Sequence, residues 1–178
     1  MFNRTKFATS LAGLVSMFLI AGGSLGVVPA SAADALACTV QGGVTVASPG
    51  ISNGGGATSG TFNSTTLDCV GVGAGAGTWS VNASFSSSAE TCLLNAAGSG
   101  SFTSGSGPAG TVTGGSFTFT RALLHVVVKG SIITSSGTFQ FAAELIFVPG
   151  NGVCSNPTLT NGTTSASIAA GSTAIVTN

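Results

Sequence analysis

Few side chains in this 178-residue chain have the chemistry that acid–base or nucleophilic catalysis needs. His125 is the single histidine, so any histidine-dependent mechanism would have to use it. A serine hydrolase also needs a carboxylate that orients the histidine and a serine on a strained, exposed turn. The Gly/Ser segments around Ser99 and Ser106 have no Gly-x-Ser-x-Gly pattern followed by a helix. His125 alternates with apolar residues, which predicts an outer-face position or, if both faces are covered, a buried histidine with a partner.

The carboxylates are equally sparse. Glycoside hydrolysis needs two carboxyl groups that flank one bond, and the candidates are Asp68, Glu90 and Glu144. Glu144 has the polar parity of its predicted strand, which indicates a solvated position, and Asp68 and Glu90 are expected at strand ends. The acidic residues are not clustered as in a calcium site, and the cysteine spacing does not fit zinc. The sequence therefore predicts no catalytic activity, no metal and no cofactor.

The glycine run at residues 71–77 resembles a phosphate-binding loop only superficially. Such loops lead into a helix whose amino terminus faces the phosphate. Here the run leads into an alternating segment with Trp79, Val81, Ala83 and Phe85 on one face, which is typical of a strand. We interpret the run as a turn between strands.

Four cysteines are the strongest signal for covalent structure: Cys38, Cys69, Cys92 and Cys154. An even number in an exported chain favours disulfides. Four cysteines allow three connectivities. Sequential pairing suits a meander, in which neighbours in sequence are neighbours in space, so we favour Cys38–Cys69 and Cys92–Cys154.

Residues 1–32 have the pattern of a secretory signal peptide. Arg4 and Lys6 precede an apolar stretch, and Ala30-Ser31-Ala32 fits a cleavage site. An uncleaved membrane anchor is an alternative, disfavoured because glycines interrupt the stretch and no stop-transfer charges follow it. Lipid attachment at Cys38 is another, but Leu36 is one place too close to the cysteine for a lipobox. We predict Sec-type secretion of one domain, residues 33–178.

The charge of that domain excludes one class of partner. It has two basic residues, Arg121 and Lys129, and four acidic ones, for a net charge of −2. Nucleic-acid binding needs a cluster of cations that displaces counterions from phosphates. The sequence predicts no nucleic-acid partner, and leaves a cell-envelope component or a small apolar ligand.

Hydrophobic alternation with period two organises the rest of the chain, most clearly over residues 110–148. Three segments there, joined by short turns, carry in-phase apolar residues: Phe117 and Phe119; Leu124, Val126 and Val128; Phe139, Phe141, Ala143, Leu145 and Phe147. Arg121 is expected in the turn between the first two. The pattern predicts an all-β fold of about eight antiparallel strands, in a meander that closes to a barrel or packs as a two-layer sandwich, stabilised by disulfides.

The remaining strands are predicted from weaker alternation. Val40, Val44 and Val46 indicate the first strand, and a change of parity near residues 64–66 predicts a bulge in the second. A further strand is expected within residues 90–104, and the last one at residues 164–176.

Taken whole, the chain resembles the small exported Gly/Ser/Thr-rich β-proteins with paired cysteines found in actinobacteria. The resemblance is carried by the leader ending in Ala30-Ser31-Ala32, by Cys38-Thr39-Val40, and by Gly60-Thr61-Phe62 before Cys69. It implies export and fold class, and transfers no catalytic residue. Gly77-Thr78-Trp79 is also similar to the Gly-x-Trp of lipocalin-like and avidin-like barrels, although a core tryptophan is the simpler interpretation.

These observations predict a secreted or cell-envelope-associated β-domain with a structural or binding role and no catalysis. The alternative is a carrier of a small apolar ligand, held in a barrel cavity lined by Trp79, Phe117, Phe119, Phe139 and Phe141. A pore subunit is a lower alternative, since lipid-facing barrels carry aromatic girdles and this chain has one tryptophan and no tyrosine.

Overall fold

The computed structural model describes residues 35–88, 90–92 and 96–178. The predicted signal peptide, residues 1–32, lies outside them. The described residues form nine strands and contain no helix long and apolar enough to cross a bilayer. The strands are β1 (Ala35–Val46), β2 (Thr58–Val70), β3 (Gly77–Ser87), β4 (Ala96–Gly107), β5 (Gly110–Ala122), β6 (His125–Thr134), β7 (Gly137–Pro149), β8 (Ser165–Ile168) and β9 (Thr173–Thr177).

The strands close into an antiparallel barrel with eight strand positions. Each strand from β1 to β7 pairs with the next in sequence. The eighth position is shared by β8 and β9, which both lie between β7 and β1 and follow one another along them. Of the two architectures that the alternation predicts, a barrel or a two-layer sandwich, the barrel is therefore the one that forms. The last strand, predicted to be continuous over residues 164–176, is interrupted at residues 169–172.

Alternate side chains of every strand meet inside the barrel and form a single core. Trp79, Val81, Ala83 and Phe85 are all buried, as the alternation predicts. Glycines on β4 make room for the larger rings, because a Cβ at Gly98 or Gly100 would overlap Phe119 or Phe117 respectively on the neighbouring strand. Gly98 and Gly100 are thus required for the packing of the phenylalanine rings in the core.

The predicted bulge in the second strand is confirmed. The pairing of β2 with β3 shifts between Phe62 and Thr65. Ser64 has a φ of 49° and donates its backbone N–H to Oδ1 of Asn82 at 2.8 Å. The bulge changes the parity of β2, so that Phe62, Thr65 and Leu67 all face the interior.

The two ends of the barrel are built differently. At one end, here called the turn end, the connections are residues 71–76 and the two-residue turns Pro108-Ala109 and Ser135-Ser136. At the other, the loop end, the connections are the two-residue turn Leu123-Leu124, the segments 47–57 and 150–164, and residues 88–95, of which 88, 90, 91 and 92 are described. Isolated bridges join Ile51 to Thr163 and Ser52 to Thr91, so the loops cover the mouth as one connected layer.

Both predicted disulfides are confirmed, one near each end. Cys38–Cys69 joins facing positions on β1 and β2 inside the barrel, near the turn end. Cys92–Cys154 joins two segments of the loop end. Cys38–Cys69 joins successive strands, as the meander predicts, whereas Cys92–Cys154 crosses the loop end between the β3–β4 and β7–β8 connections.

Three expectations about single residues are wrong. Leu124 does not face the core but lies with Leu123 in the β5–β6 turn, 42% exposed. Arg121 was expected in that turn but lies on β5 with its side chain inside the barrel. Glu90 precedes β4, which begins only at Ala96, and is buried beneath the loop end.

Candidate binding site

The interior of the barrel contains two small voids, each of about 50 Å³. The central void is enclosed by apolar side chains and by Thr65: Val40, Phe62, Leu67, Val81, Ala83, Phe102, Phe117, Val128, Ile132, Phe141, Ala143 and Leu145. The end void lies beneath the loop end and is lined by both charged residues of the interior, Glu90 and Arg121, together with apolar side chains. Phe62 lines both voids and separates them.

The central void has one polar feature. Thr65 is 6% exposed, and among the described residues its hydroxyl has no hydrogen-bond partner. Binding pockets for small molecules typically enclose about 300–1,000 Å³. A void of about 50 Å³ has space for water or a very small molecule, unless neighbouring rings move.

A buried ion pair borders the end void. Arg121 Nε donates to Oε2 of Glu90 at 3.0 Å, with side chains that are 8% and 3% exposed. Nη1 donates to the carbonyl oxygen of Leu123 at 2.9 Å, whereas Nη2 has no acceptor among the described residues. Burying two charges is tolerated only when each compensates the other. The contact between Arg121 and Glu90 provides that compensation and leaves Arg121 Nη2 as an unpaired donor among the described residues.

Loop contacts hold Glu90 in place. Its backbone N–H donates to the carbonyl of Gly56 at 2.9 Å, and Thr91 bridges to Ser52. Cys92 then fixes the segment to Cys154. Glu90 therefore points into the barrel because three connections hold its short segment across the mouth.

Sequence reasoning missed this pair, although a signal was present. Arg121 shares the parity of Phe117 and Phe119, so the alternation of β5 already assigns it to the interior. The break in alternation near Arg121 and Ala122 predicts a turn instead, and it gives no indication of Glu90, which is 31 residues away.

The five predicted cavity residues occupy different places. Phe117 and Phe141 line the central void, and Phe119 lines the end void. Trp79 and Phe139 line neither; their rings pack edge to face, 5.3 Å apart, and fill the turn end. Trp79 Nε1 also donates to the carbonyl of Gly75 at 2.8 Å, which ties the indole to the glycine run.

The other ionisable groups lie on the outer wall. His125 Nδ1 is 3.1 Å from Oε1 of Glu144, with side chains that are 57% and 50% exposed. Asp68 accepts a hydrogen bond from Thr78 at 2.6 Å, and Lys129 is exposed. Within the described ranges, His, Cys, Asp and Glu side chains form no group of three or more that could hold a metal ion.

Comparison of the chain with protein-family models, with curated proteins and with solved structures finds no match. The class of protein is therefore defined by the fold and its interior. The chain is an all-β, disulfide-bonded, antiparallel barrel whose apolar core contains the Glu90–Arg121 ion pair beneath a layer of loops.

Proposed function

We propose that this protein is an exported, non-catalytic barrel domain with a structural or binding role at the cell surface. The filled interior carries this proposal, since the two voids inside the barrel are about 50 Å³ each, well below the usual size of a substrate pocket. The two disulfides are consistent with an oxidising or extracellular compartment.

The placement of the ionisable groups supports a role without catalysis. The Glu90–Arg121 pair is enclosed, and its charges compensate each other. The His125–Glu144 pair lies on the outer wall and lines neither interior void. Acid–base catalysis needs a group within hydrogen-bond reach of a bound substrate, and neither pair combines accessibility with an enclosing pocket.

The outer wall offers a surface for binding instead. Exposed serine and threonine side chains follow one another on neighbouring strands: Ser86 on β3, Ser99 and Ser101 on β4, and Ser116, Thr118 and Thr120 on β5. Hydroxyl groups both donate and accept hydrogen bonds without contributing charge. Such a wall suits an uncharged, polyhydroxylated component of the cell envelope.

Co-sedimentation of the secreted protein with isolated cell-wall polysaccharide tests this role. The double substitution Ser99→Glu/Ser101→Glu on β4 should abolish co-sedimentation, because charged carboxylates replace neutral hydroxyls in the middle of that wall. The double substitution Thr39→Glu/Thr173→Glu, on β1 and β9, places the same two charges on another part of the outer wall and serves as the matched control. The proposal would be overturned if the protein hydrolysed the polysaccharide and if His125→Ala or Glu144→Ala abolished that hydrolysis.

A carrier of a small apolar ligand is the second candidate. The observation that favours it is the pair of apolar voids that contain an unpartnered Thr65 hydroxyl and an unpartnered Arg121 nitrogen. Xenon occupies dry apolar cavities, so saturable binding of xenon in ¹²⁹Xe NMR is expected, and the double substitution Ala143→Leu/Ala166→Leu should abolish it by filling both voids. A linear, non-saturable xenon response would rule the carrier out.

A pore subunit remains the lower alternative. Lipid-facing strands need an apolar outer band, whereas the outward-facing positions of β4 and β5 include the rows of serine and threonine described above. Recovery of the folded protein in the detergent phase, rather than in the aqueous phase, would favour the pore over both other candidates.

A further inference from the structure

Two open depressions on the outer wall of the barrel are several times larger than the voids inside it. One has a volume of about 470 Å³ and extends from β4 across β5 and β6 to Gln140 on β7, and the other, of about 380 Å³, lies over β3 and β4. Ser99 and Gly100 border both depressions, so the two meet on β4 and form one trough. Both volumes lie within the range of about 300–1,000 Å³ that is usual for ligand sites.

Two rows of polar side chains border the trough, one on each side. In the first row each residue faces the next across neighbouring strands: Ser84, Ser101, Ser116, Ser131 and Gln140. The second row lies two residues away on the same strands, β3 to β6: Ser86, Ser99, Thr118 and Lys129. Two residues of a strand span about 7 Å, and neighbouring strands are about 4.8 Å apart. The trough is therefore about 7 Å wide and, from β3 to β7, about 19 Å long.

The residues between the two rows form the floor of the trough. They are Phe85, Gly100, Phe117 and Gly130, which are in register on β3 to β6. Both phenylalanine rings are buried in the core, and a Cβ on Gly100 would overlap the ring of Phe117. The floor therefore presents backbone to the outside, and the short serine and threonine side chains of the rows leave it uncovered.

The charge of the trough selects the class of ligand. Among the residues that border the two depressions, Lys129 alone is charged, and its side chain is exposed. A single exposed ion pair contributes little to binding, and a polymer with a negative charge on every repeat would need more cations along the rows. Hydroxyl and amide groups donate and accept hydrogen bonds without charge. The rows therefore match a chain that carries neutral hydroxyl groups on every repeat.

A linear glycan has this chemistry and a suitable shape. Its sugar rings fit the width of the trough, and each sugar advances the chain by a length close to the spacing of neighbouring strands. Serine residues recur on both sides of the trough at this spacing. Successive sugars would thus meet the same pair of hydroxyl groups on successive strands.

We propose that the trough binds a linear, neutral glycan that lies across the strands, with about one sugar per strand from β3 to β7. Lys129 and Gln140 bind the sugar at the β6–β7 end, where both side chains border the trough. This inference rests on the binding role proposed above and assigns to it a site, a ligand class and an orientation of the chain.

The length of the glycan provides the first test. Oligosaccharides are prepared by partial hydrolysis of the cell-wall polysaccharide used for co-sedimentation, and they are separated by length. The affinity should increase with each added sugar up to about four or five and then level off, because a longer chain extends beyond β3 and β7. Affinity that is already constant from two sugars onwards would contradict a chain laid along the trough.

Lys129 provides a readout at the site itself. It is the only lysine after residue 32, so the secreted protein labelled with ¹³C-lysine has a single ε-methylene signal. We expect a saturable shift of this signal with the longer oligosaccharides, and the same shift after any carboxyl groups of the oligosaccharides have been reduced to hydroxyls. Loss of the shift after reduction would replace the neutral class with an anionic one.

Two matched substitutions on β5 locate the glycan. Thr118→Leu removes a hydroxyl from the trough and fills part of it, whereas Thr120→Leu makes the same change at an exposed position outside both depressions. Thr118→Leu should weaken binding of the five-sugar oligosaccharide by about tenfold or more, and Thr120→Leu by less than about twofold. Backbone NMR spectra verify that each variant is folded.

The contrary results separate this site from the binding role in general. If the wild-type protein co-sediments with the polysaccharide and Thr118→Leu binds as tightly, the glycan is bound elsewhere on the surface and only this site is overturned. If the wild-type protein does not co-sediment, the binding role itself is overturned.

Discussion

The two ends of the barrel are closed to solvent by different kinds of contact. At the turn end the interior is closed by its own side chains: Trp79 and Phe139 are 1% and 2% exposed, and Gly107 lets the indole lie directly against β4. At the loop end the interior is closed from outside by segments 47–57 and 150–164 and by residues 90–92. At the turn end Phe139 borders a cavity of about 70 Å³ together with Leu36 and residues 73–75, whereas the loop end leaves a void of about 50 Å³ that is bordered by an ion pair.

This difference shows two ways of closing one small barrel, with apolar packing at one end and with a layer of loops at the other. Apolar packing at the turn end provides stability through buried area and leaves no donor unpaired around Trp79. The loop end has polar groups in place of part of that packing, namely the Glu90–Arg121 pair, and the Cys92–Cys154 disulfide attaches its loop layer covalently. Substitutions at the two ends should therefore have different consequences for stability.

Trp79→Ala should produce the largest loss of stability, about 5 kcal/mol in the free energy of unfolding, at the upper end of large-to-small core substitutions. The indole is almost fully buried, and its hydrogen bond to Gly75 is lost with it. Urea denaturation followed by circular dichroism measures the effect, and Trp79→Phe, which keeps most of the ring, is the control. A loss below about 2 kcal/mol would show that packing does not close this end.

Removal of Cys92–Cys154 by alanine substitution at both positions should cost about 4 kcal/mol on the chain-entropy estimate for a loop of 62 residues. The same change at Cys38 and Cys69, 31 residues apart, should cost about 3.5 kcal/mol.

Location distinguishes the two disulfides better than magnitude does. Ile51 and Thr163 exchange backbone hydrogen bonds of 2.9 Å in both directions within the loop layer. Hydrogen exchange at these amides should accelerate when Cys92–Cys154 is removed and remain slow when Cys38–Cys69 is removed. Equal acceleration in both variants would mean that the loop layer is not an independent unit.

Arg121→Ala should cost about 3 kcal/mol, because it leaves Glu90 buried without a counter-charge. The cost is placed at the low end of the known range because the adjacent void can admit water to the carboxylate. The double variant Glu90→Leu/Arg121→Leu should be more stable than Arg121→Ala, since it removes both charges. Urea unfolding of both variants tests this, and a double variant as unstable as the single one would show that the pair is not coupled.

Glu144→Gln should have the smallest effect, about 0.5 kcal/mol or less, because its pair with His125 is half exposed and screened by water. Glu90→Gln is the matched control, with the same chemical change inside the barrel. Comparison of the two urea midpoints isolates the effect of burial. A larger loss for Glu144→Gln than for Glu90→Gln would contradict the assignment of inner and outer pairs.

Local patterns were sufficient to predict much of the fold. Trp79, Val81, Ala83 and Phe85 share a parity and are all buried, and the parity change near Ser64 is a bulge. The Cys38–Cys69 pair also follows from local order, because β1 and β2 are successive strands of the meander, whereas Cys92–Cys154 joins loops that four strands separate. These features depend on residues close in sequence or on the order of strands, so the sequence alone specified them.

The closure and the site depend on contacts that alternation does not encode. A strand in a sandwich and a strand in a barrel have the same period of two, and only the pairing of β1 with β8 and β9 at the far end of the chain distinguishes them. The ion pair also depends on contacts between distant segments. Alternation directs Arg121 inward, and its buried charge is compensated because the loop end brings Glu90 within 3.0 Å. Alternation determined which side chains turn inward, and the folded barrel determined which of them meet, because compensation of a buried charge requires proximity in space.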